Sequence, residues 1–159
     1  MGKHKNRLIQ AFFTVLICLL ALFVSKYYYQ LMLIQGESME PTFHNFQFVI
    51  IDKTVKNQAL EPGDIIAFES IGLDTVLVKR IAATPGQTVQ IIDKTLYING
   101  KPTEIYDTGI FEYAGLLESE ITLGEDEYIV IGDNVSESKD SRYEEVGIVD
   151  GDSIIGRIK

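Results

Sequence analysis

The sequence predicts a mostly β fold, an antiparallel β-rich domain carried on one N-terminal transmembrane helix. Three observations predict it. One apolar run of membrane length, Leu8 to Val24, stands near the start of the chain. Beyond it, short segments rich in β-branched and aromatic residues follow one another at close spacing, separated by Gly, Pro and Asn turn signals. The charge is also divided: residues 1–26 contain Lys3, Lys5, Arg7 and Lys26 and no acid.

The elements follow in order. Residues 1–7 are basic and read as a cytoplasmic N-terminus; residues 8–26 read as the anchor, with Lys26 and Tyr27-Tyr28-Tyr29 as a snorkelling cation and an aromatic belt at its far end. A cleavable signal peptide has the same basic and apolar regions, but Val24-Ser25-Lys26-Tyr27 offers no small-x-small cleavage site. Residues 27–159 then form one extracytoplasmic domain. Strands are expected at Leu31 to Gln35, Phe46 to Ile51, Ile65 to Phe68 after the Pro62-Gly63-Asp64 turn, and Thr75 to Ala82 before Pro85-Gly86. Thr88 to Ile92 and Thr95 to Ile98 come next, with Asn99-Gly100 as a hairpin turn. Residues 103–120 are acidic, interrupted by glycine and without period, and read as a surface excursion. Glu127 to Ile131 and Ser153 to Ile158 complete the series.

Composition excludes some functions. Residues 27–159 hold ten basic residues against all 23 acidic ones, a net charge of −13, so no basic footprint exists for nucleic acid. The one cysteine, Cys18, lies inside the apolar run and cannot form an internal disulfide. Two scattered histidines, His4 and His44, do not make a zinc site, and the acidic stretch 133–145 lacks the glycine and ligand spacing of an EF-hand.

Chemistry concentrates just beyond the anchor. In Gly36-Glu37-Ser38-Met39-Glu40-Pro41-Thr42 a serine stands between a glycine that frees the backbone and a proline that fixes it, as a nucleophile presented at a bilayer surface would. Read alone, it is an ordinary turn serine. A hydroxyl needs a base, and the stronger candidate is Lys79. Strand alternation puts Lys79 on one face with Leu77 and Ile81, and Val76, Val78 and Arg80 on the other. An apolar setting lowers a lysine pKa and makes the neutral amine available; the alternative is that Lys79 snorkels to the strand edge. Gly132-Asp133-Asn134, Ser138 and Asp140-Ser141-Arg142 could be an acidic loop closed by an Asp–Arg pair, and a hydroxyl such as that of Ser138 could orient the lysine. Taken together, these are the marks of a Ser-Lys hydrolase.

GESMEPT, PGDIIAF, VKRIAATPGQTV and GDNVSESKDSR resemble, in order and approximate spacing, the blocks of the type I (leader) signal peptidases, and with the anchor they cover most of the chain. The resemblance implies a membrane-anchored serine endopeptidase outside the bacterial cytoplasmic membrane, removing signal peptides from exported precursors after small-x-small sequences, without a cofactor or metal. It makes Ser38 the nucleophile and Lys79 the general base, has Ser138 bond the lysine, and has Asp140 and Arg142 brace the site. Gly36 stands where some members carry an oxyanion-binding serine, as in the short, Gram-positive-like branch, which leaves the Ser38 N–H as the main oxyanion donor. An extended substrate is expected to pair with the backbone of Leu33, Ile34 and Gln35 on one side and Val76, Leu77 and Val78 on the other, over shallow pockets that include Met39. Membrane lipid is the other expected partner. The rival is a non-catalytic anchored assembly factor or chaperone for surface proteins or pili; retention of both Ser38 and Lys79 argues against it. A self-cleaving Ser-Lys repressor protease of similar fold is disfavoured by the anchor.

Overall fold

The computed structural model describes residues 2–57, 59–106 and 110–158, with the backbone alone for 2–5, 56 and 57. An N-terminal helix, α1 (Gly2–Tyr27), contains the apolar stretch Asn6–Tyr27, whose side chains are exposed throughout. Its 22 residues give about 33 Å of helix, enough to cross a bilayer's hydrocarbon core.

The rest is β structure in two antiparallel sheets. The larger is built from β1 (Tyr29–Leu33), β2 (Phe48–Asp52), β3 (Ile65–Ser70), β4 (Thr75–Ala83), β9 (Glu127–Ile131), β10 (Val149–Asp150) and β11 (Ile154–Ile158), in the order β1-β2-β11-β3-β4-β9-β10. The smaller sheet orders β7 (Lys101–Pro102), β6 (Thr95–Ile98), β5 (Thr88–Ile92) and β8 (Ile121–Thr122). Asn99 and Gly100 join β6 to β7 with φ of 51° and 70°, the left-handed pair that a two-residue hairpin turn needs.

The large sheet is apolar on both faces, and alternation sorts its residues. Ala67 of β3 and Val78 of β4 meet Ile34, Met39, Val49 and Ile51 on one face; Ile66, Phe68 and Ile81 meet Val130, Val149 and Ile154 on the other. A third cluster joins the end of β4 and β9 to the small sheet.

That third cluster corrects one expectation. The stretch 103–120 is not a surface excursion: Tyr106, Phe111 and Leu117 are buried against Val89, Leu96 and Ile129, and the Tyr106 hydroxyl donates to the carbonyl of Ile131 at 3.1 Å. Residues 107–109 of this stretch lie outside the described residues. The first expected strand is also displaced, since pairing with β2 runs from Tyr29 to Leu33 and ends before Ile34 and Gln35.

Two free strand edges frame the site. β4 pairs with β3 from Thr75 to Arg80, but its other edge is taken by β9 only from Arg80 onward. Among the described residues no strand covers the edge between Thr75 and Lys79, and β1 stands at the border of the sheet.

Candidate active site

The turn carrying Ser38 is fixed from both sides. Glu40 N–H donates to the carbonyl of Glu37 and Phe43 N–H to that of Met39, which closes the turn locally. Asn134 then clamps it: its side-chain amide donates to the carbonyl of Glu37 at 3.2 Å, and its N–H donates to the carbonyl of Ser38 at 3.1 Å. Gly132 lies so close beneath that a Cβ there would overlap Ser38 O and Ser138 Oγ, so only glycine fits. Met39, 1% exposed, plugs the next position into the apolar cluster under β4.

Lys79 reaches this turn across 41 residues of sequence, with Nζ 2.8 Å from Ser38 Oγ and 3.0 Å from the carbonyl of Val78. It is 3% exposed, which excludes the snorkelling alternative. Burial pushes its pKa down from 10.5 to about 8, while the Asp140 and Asp133 carboxylates pull it back up; desolvation wins. At pH 7 about one lysine in ten is then neutral, against about one in three thousand for an ordinary one. A neutral amine at hydrogen-bond distance from a hydroxyl can accept its proton.

Ser138 departs from expectation. It is buried beside Gly132, yet Lys79 Nζ bonds Ser38 and the Val78 carbonyl instead, and Ser138 Oγ has no hydrogen-bond partner among the described residues. Asp140 and Arg142 do meet. Arg142 donates Nε to Asp140 Oδ1 at 2.8 Å and Nη2 to Oδ2 at 2.9 Å, and the same Nη2 also donates to the carbonyls of Val135 and Ser138. Asp140 Oδ2 in turn accepts from Gly132 N–H at 3.1 Å. One buried ion pair thus ties the 135–142 loop to the glycine beneath the serine.

The residues expected to line a substrate divide by face. Ile34, Met39 and Val78 share one apolar cluster with Val76 at its edge, whereas the side chain of Leu77 packs on the opposite face, near Phe68 and Ile81. Leu33 is partly buried at the end of β1, and Gln35 is exposed beyond it.

Sequence reasoning missed a second ion pair. Arg80 points away from Lys79 and donates Nε to Asp133 Oδ1 at 2.7 Å, with Nη2 on Asp133 Oδ2 and Nη1 on the carbonyl of Gly63. Thr42 Oγ1 also donates to Asp133, so the pair fastens the far end of the serine turn to β4. Its only sequence signal is position: Arg80 follows Lys79, and Asp133 sits between Gly132 and Asn134.

A family model described as signal peptidase, peptidase S26, matches residues 6–159. Signal peptidase I T of Bacillus subtilis is 35% identical over 154 residues, covering 91% of this chain and 79% of that protein. Signal peptidase IB of Staphylococcus aureus is 30% identical over 172 residues, covering 97% and 88%. The crystal structure of a signal peptidase I from Enterococcus faecalis is 32% identical, with a TM-score of 0.50 over 64% of this chain and 98% of that one. With its β-rich fold and the serine and buried lysine in contact, the chain belongs to the signal peptidase family, peptidase S26.

Proposed function

We propose that the protein is a membrane-anchored serine endopeptidase that removes signal peptides from exported precursors, with Ser38 as nucleophile and Lys79 as general base. The observation that carries this reading is the 2.8 Å contact between Ser38 Oγ and a lysine amine whose burial holds its pKa near 8. In the first step Ser38 Oγ bonds the scissile carbonyl carbon as its proton passes to Lys79 Nζ. The oxyanion is held by the Ser38 N–H. The carbon–nitrogen bond then breaks, Lys79 returns the proton to the leaving amine, and an acyl-enzyme remains. Water attacks that ester and gives its proton to Lys79; the bond between the acyl carbon and Ser38 Oγ then breaks as Lys79 passes the proton to Oγ, which restores the neutral amine and the free hydroxyl.

Substrate selection follows from the uncovered edge of β4 between Thr75 and Lys79. An extended precursor segment lies there as an added strand, with Leu33, Ile34 and Gln35 flanking it on the other side, and its alternate side chains enter the apolar floor of Ile34, Met39, Val76 and Val78. That floor is already filled by its own side chains, so it admits alanine and excludes phenylalanine. The basic residues Lys3, Lys5 and Arg7 favour an N-terminus in the cytoplasm, with the domain on the outer side of the membrane.

The test uses the purified full chain in detergent with a precursor carrying Ala at the first and third positions before the cut. The wild type cleaves it, Ser38→Ala and Lys79→Ala do not, and Phe at either position blocks cleavage. Substantial turnover by either variant refutes the dyad, and equal turnover of the Phe precursors refutes the pocket.

A further inference from the structure

A cavity of about 830 Å³ is lined by Glu40, Pro41 and Thr42 of the serine turn and by Arg80, the β4 residue at which the free edge ends. Its polar wall is Glu40, Thr42, Arg80, Asp133, Asn134 and Ser136. Its lining residues adjoin the proposed catalytic pair: Glu40 and Thr42 follow Ser38 in the turn, Arg80 follows Lys79 in β4, and Asn134 holds the carbonyls of Glu37 and Ser38.

Direction along β4 decides what can reach this cavity. The free edge spans Thr75 to Lys79 and ends where β9 pairs with Arg80. A substrate strand that runs parallel to β4 on that edge has its scissile bond at the Lys79 end, beside Ser38. The residues beyond that bond, the first of the released chain, have no β4 edge to follow and must leave past Arg80 and the Glu40–Thr42 segment. An extended chain advances about 3.3 Å per residue, so only the first few residues after the cut stay close to Arg80 and the Glu40–Thr42 segment.

The charge of the cavity is set by what is already neutralised. Arg80 spends its guanidinium on Asp133, the carbonyl of Gly63 and Thr42, and the Asp133 carboxylate is spent on Arg80 and Thr42. Among the described residues of the wall, Glu40 is the remaining charge. Its side chain is 31% exposed, and one oxygen, Oε2, meets His44 Nδ1 at 2.6 Å. A cationic side chain therefore finds a carboxylate there, and an anionic one meets a like charge.

We propose that this cavity is the subsite for the second and third residues of the released chain, and that Glu40 makes it select basic or neutral polar side chains over acidic ones. The proposal rests on the assignment of Ser38 and Lys79 given above. It is tested with peptides that share Ala at the first and third positions before the cut and Ala directly after it, and carry Lys, Gln or Glu at the second and third positions after it. Cleavage is measured with the full chain in detergent, as wild type, Glu40→Gln and Glu40→Lys. The wild type favours the Lys over the Glu peptide by about fivefold in kcat/KM, the size expected of a partly exposed charge pair. Glu40→Gln reduces the preference and Glu40→Lys reverses it, each preference being the Lys-to-Glu ratio within one form, so that a change in overall rate cancels. A wild-type ratio within twofold of unity, or one that survives Glu40→Lys, overturns the subsite while leaving the peptidase assignment intact. Failure to cleave any of the peptides overturns both.

Discussion

Arg142 and Asp140, two residues apart, close a bidentate ion pair in which the carboxylate is 0% and the guanidinium 2% exposed. The carboxylate's second role is to accept Gly132 N–H, and the guanidinium's is to gather the carbonyls of Val135 and Ser138. Arg142→Ala leaves a buried carboxylate without its counter-charge, which costs about 3–5 kcal/mol. Arg142→Lys keeps the charge but loses the planar fork, so it falls between the two. Unfolding of the full chain in detergent measures both, and an unchanged midpoint for Arg142→Ala contradicts the bracing role.

Gly132 makes a separate prediction about geometry. A methyl group there must displace the Ser38 carbonyl or Ser138 Oγ, and the Asn134 bond to Ser38 O transmits the shift to the turn. Gly132→Ala lowers kcat by at least about tenfold, because small displacements of a reacting atom are costly in rate. KM changes less, since the β4 edge between Thr75 and Lys79 is untouched. Steady-state kinetics separates the two, and wild-type kcat in this variant contradicts the role given to the close approach.

Lys79 also links stability to pH. Its folded pKa of about 8 lies below the ordinary 10.5, so between those values the unfolded chain binds more protons and stability rises with pH. The gain totals about 3 kcal/mol, and below pH 8 the cost of burying the ammonium is fully present. Lys79→Met removes that cost. The variant is more stable than the wild type at pH 7, and the gap narrows as pH rises from 8 towards 10.5. Denaturant unfolding at several pH values measures it; a wild type more stable than Lys79→Met at pH 7 contradicts the buried-amine account.

Local chemistry made part of the fold legible. Thr88–Ile92, Thr95–Ile98 and Glu127–Ile131 form strands over the residues that composition marks, because each is bounded by turn residues that set its ends. Leu77 and Ile81 likewise share one face of β4, as a period of two requires. Burial in 103–120 was not legible, since Tyr106, Phe111 and Leu117 follow no period and are held by contacts with the distant β5, β6 and β9. Within the site, residue types suggested Ser38, Lys79, Asp140 and Arg142, whereas distances are tertiary facts. No sequence pattern reveals that Lys79 bonds the Val78 carbonyl rather than Ser138, or that Asp133 is spent on Arg80 and Thr42.

The central claim is that neutral Lys79 takes the proton from Ser38, and the pH dependence of kcat/KM tests it most directly because that ratio reports the ionisation of the free enzyme. Activity requires the unprotonated amine, so it belongs above the folded pKa and is lost below it. For the purified full chain acting on a peptide with Ala at the first and third positions before the cut, kcat/KM rises about tenfold per pH unit up to a break near pH 8 and levels above it. A profile flat from pH 5 to pH 9 would contradict the assignment of Lys79 as the base.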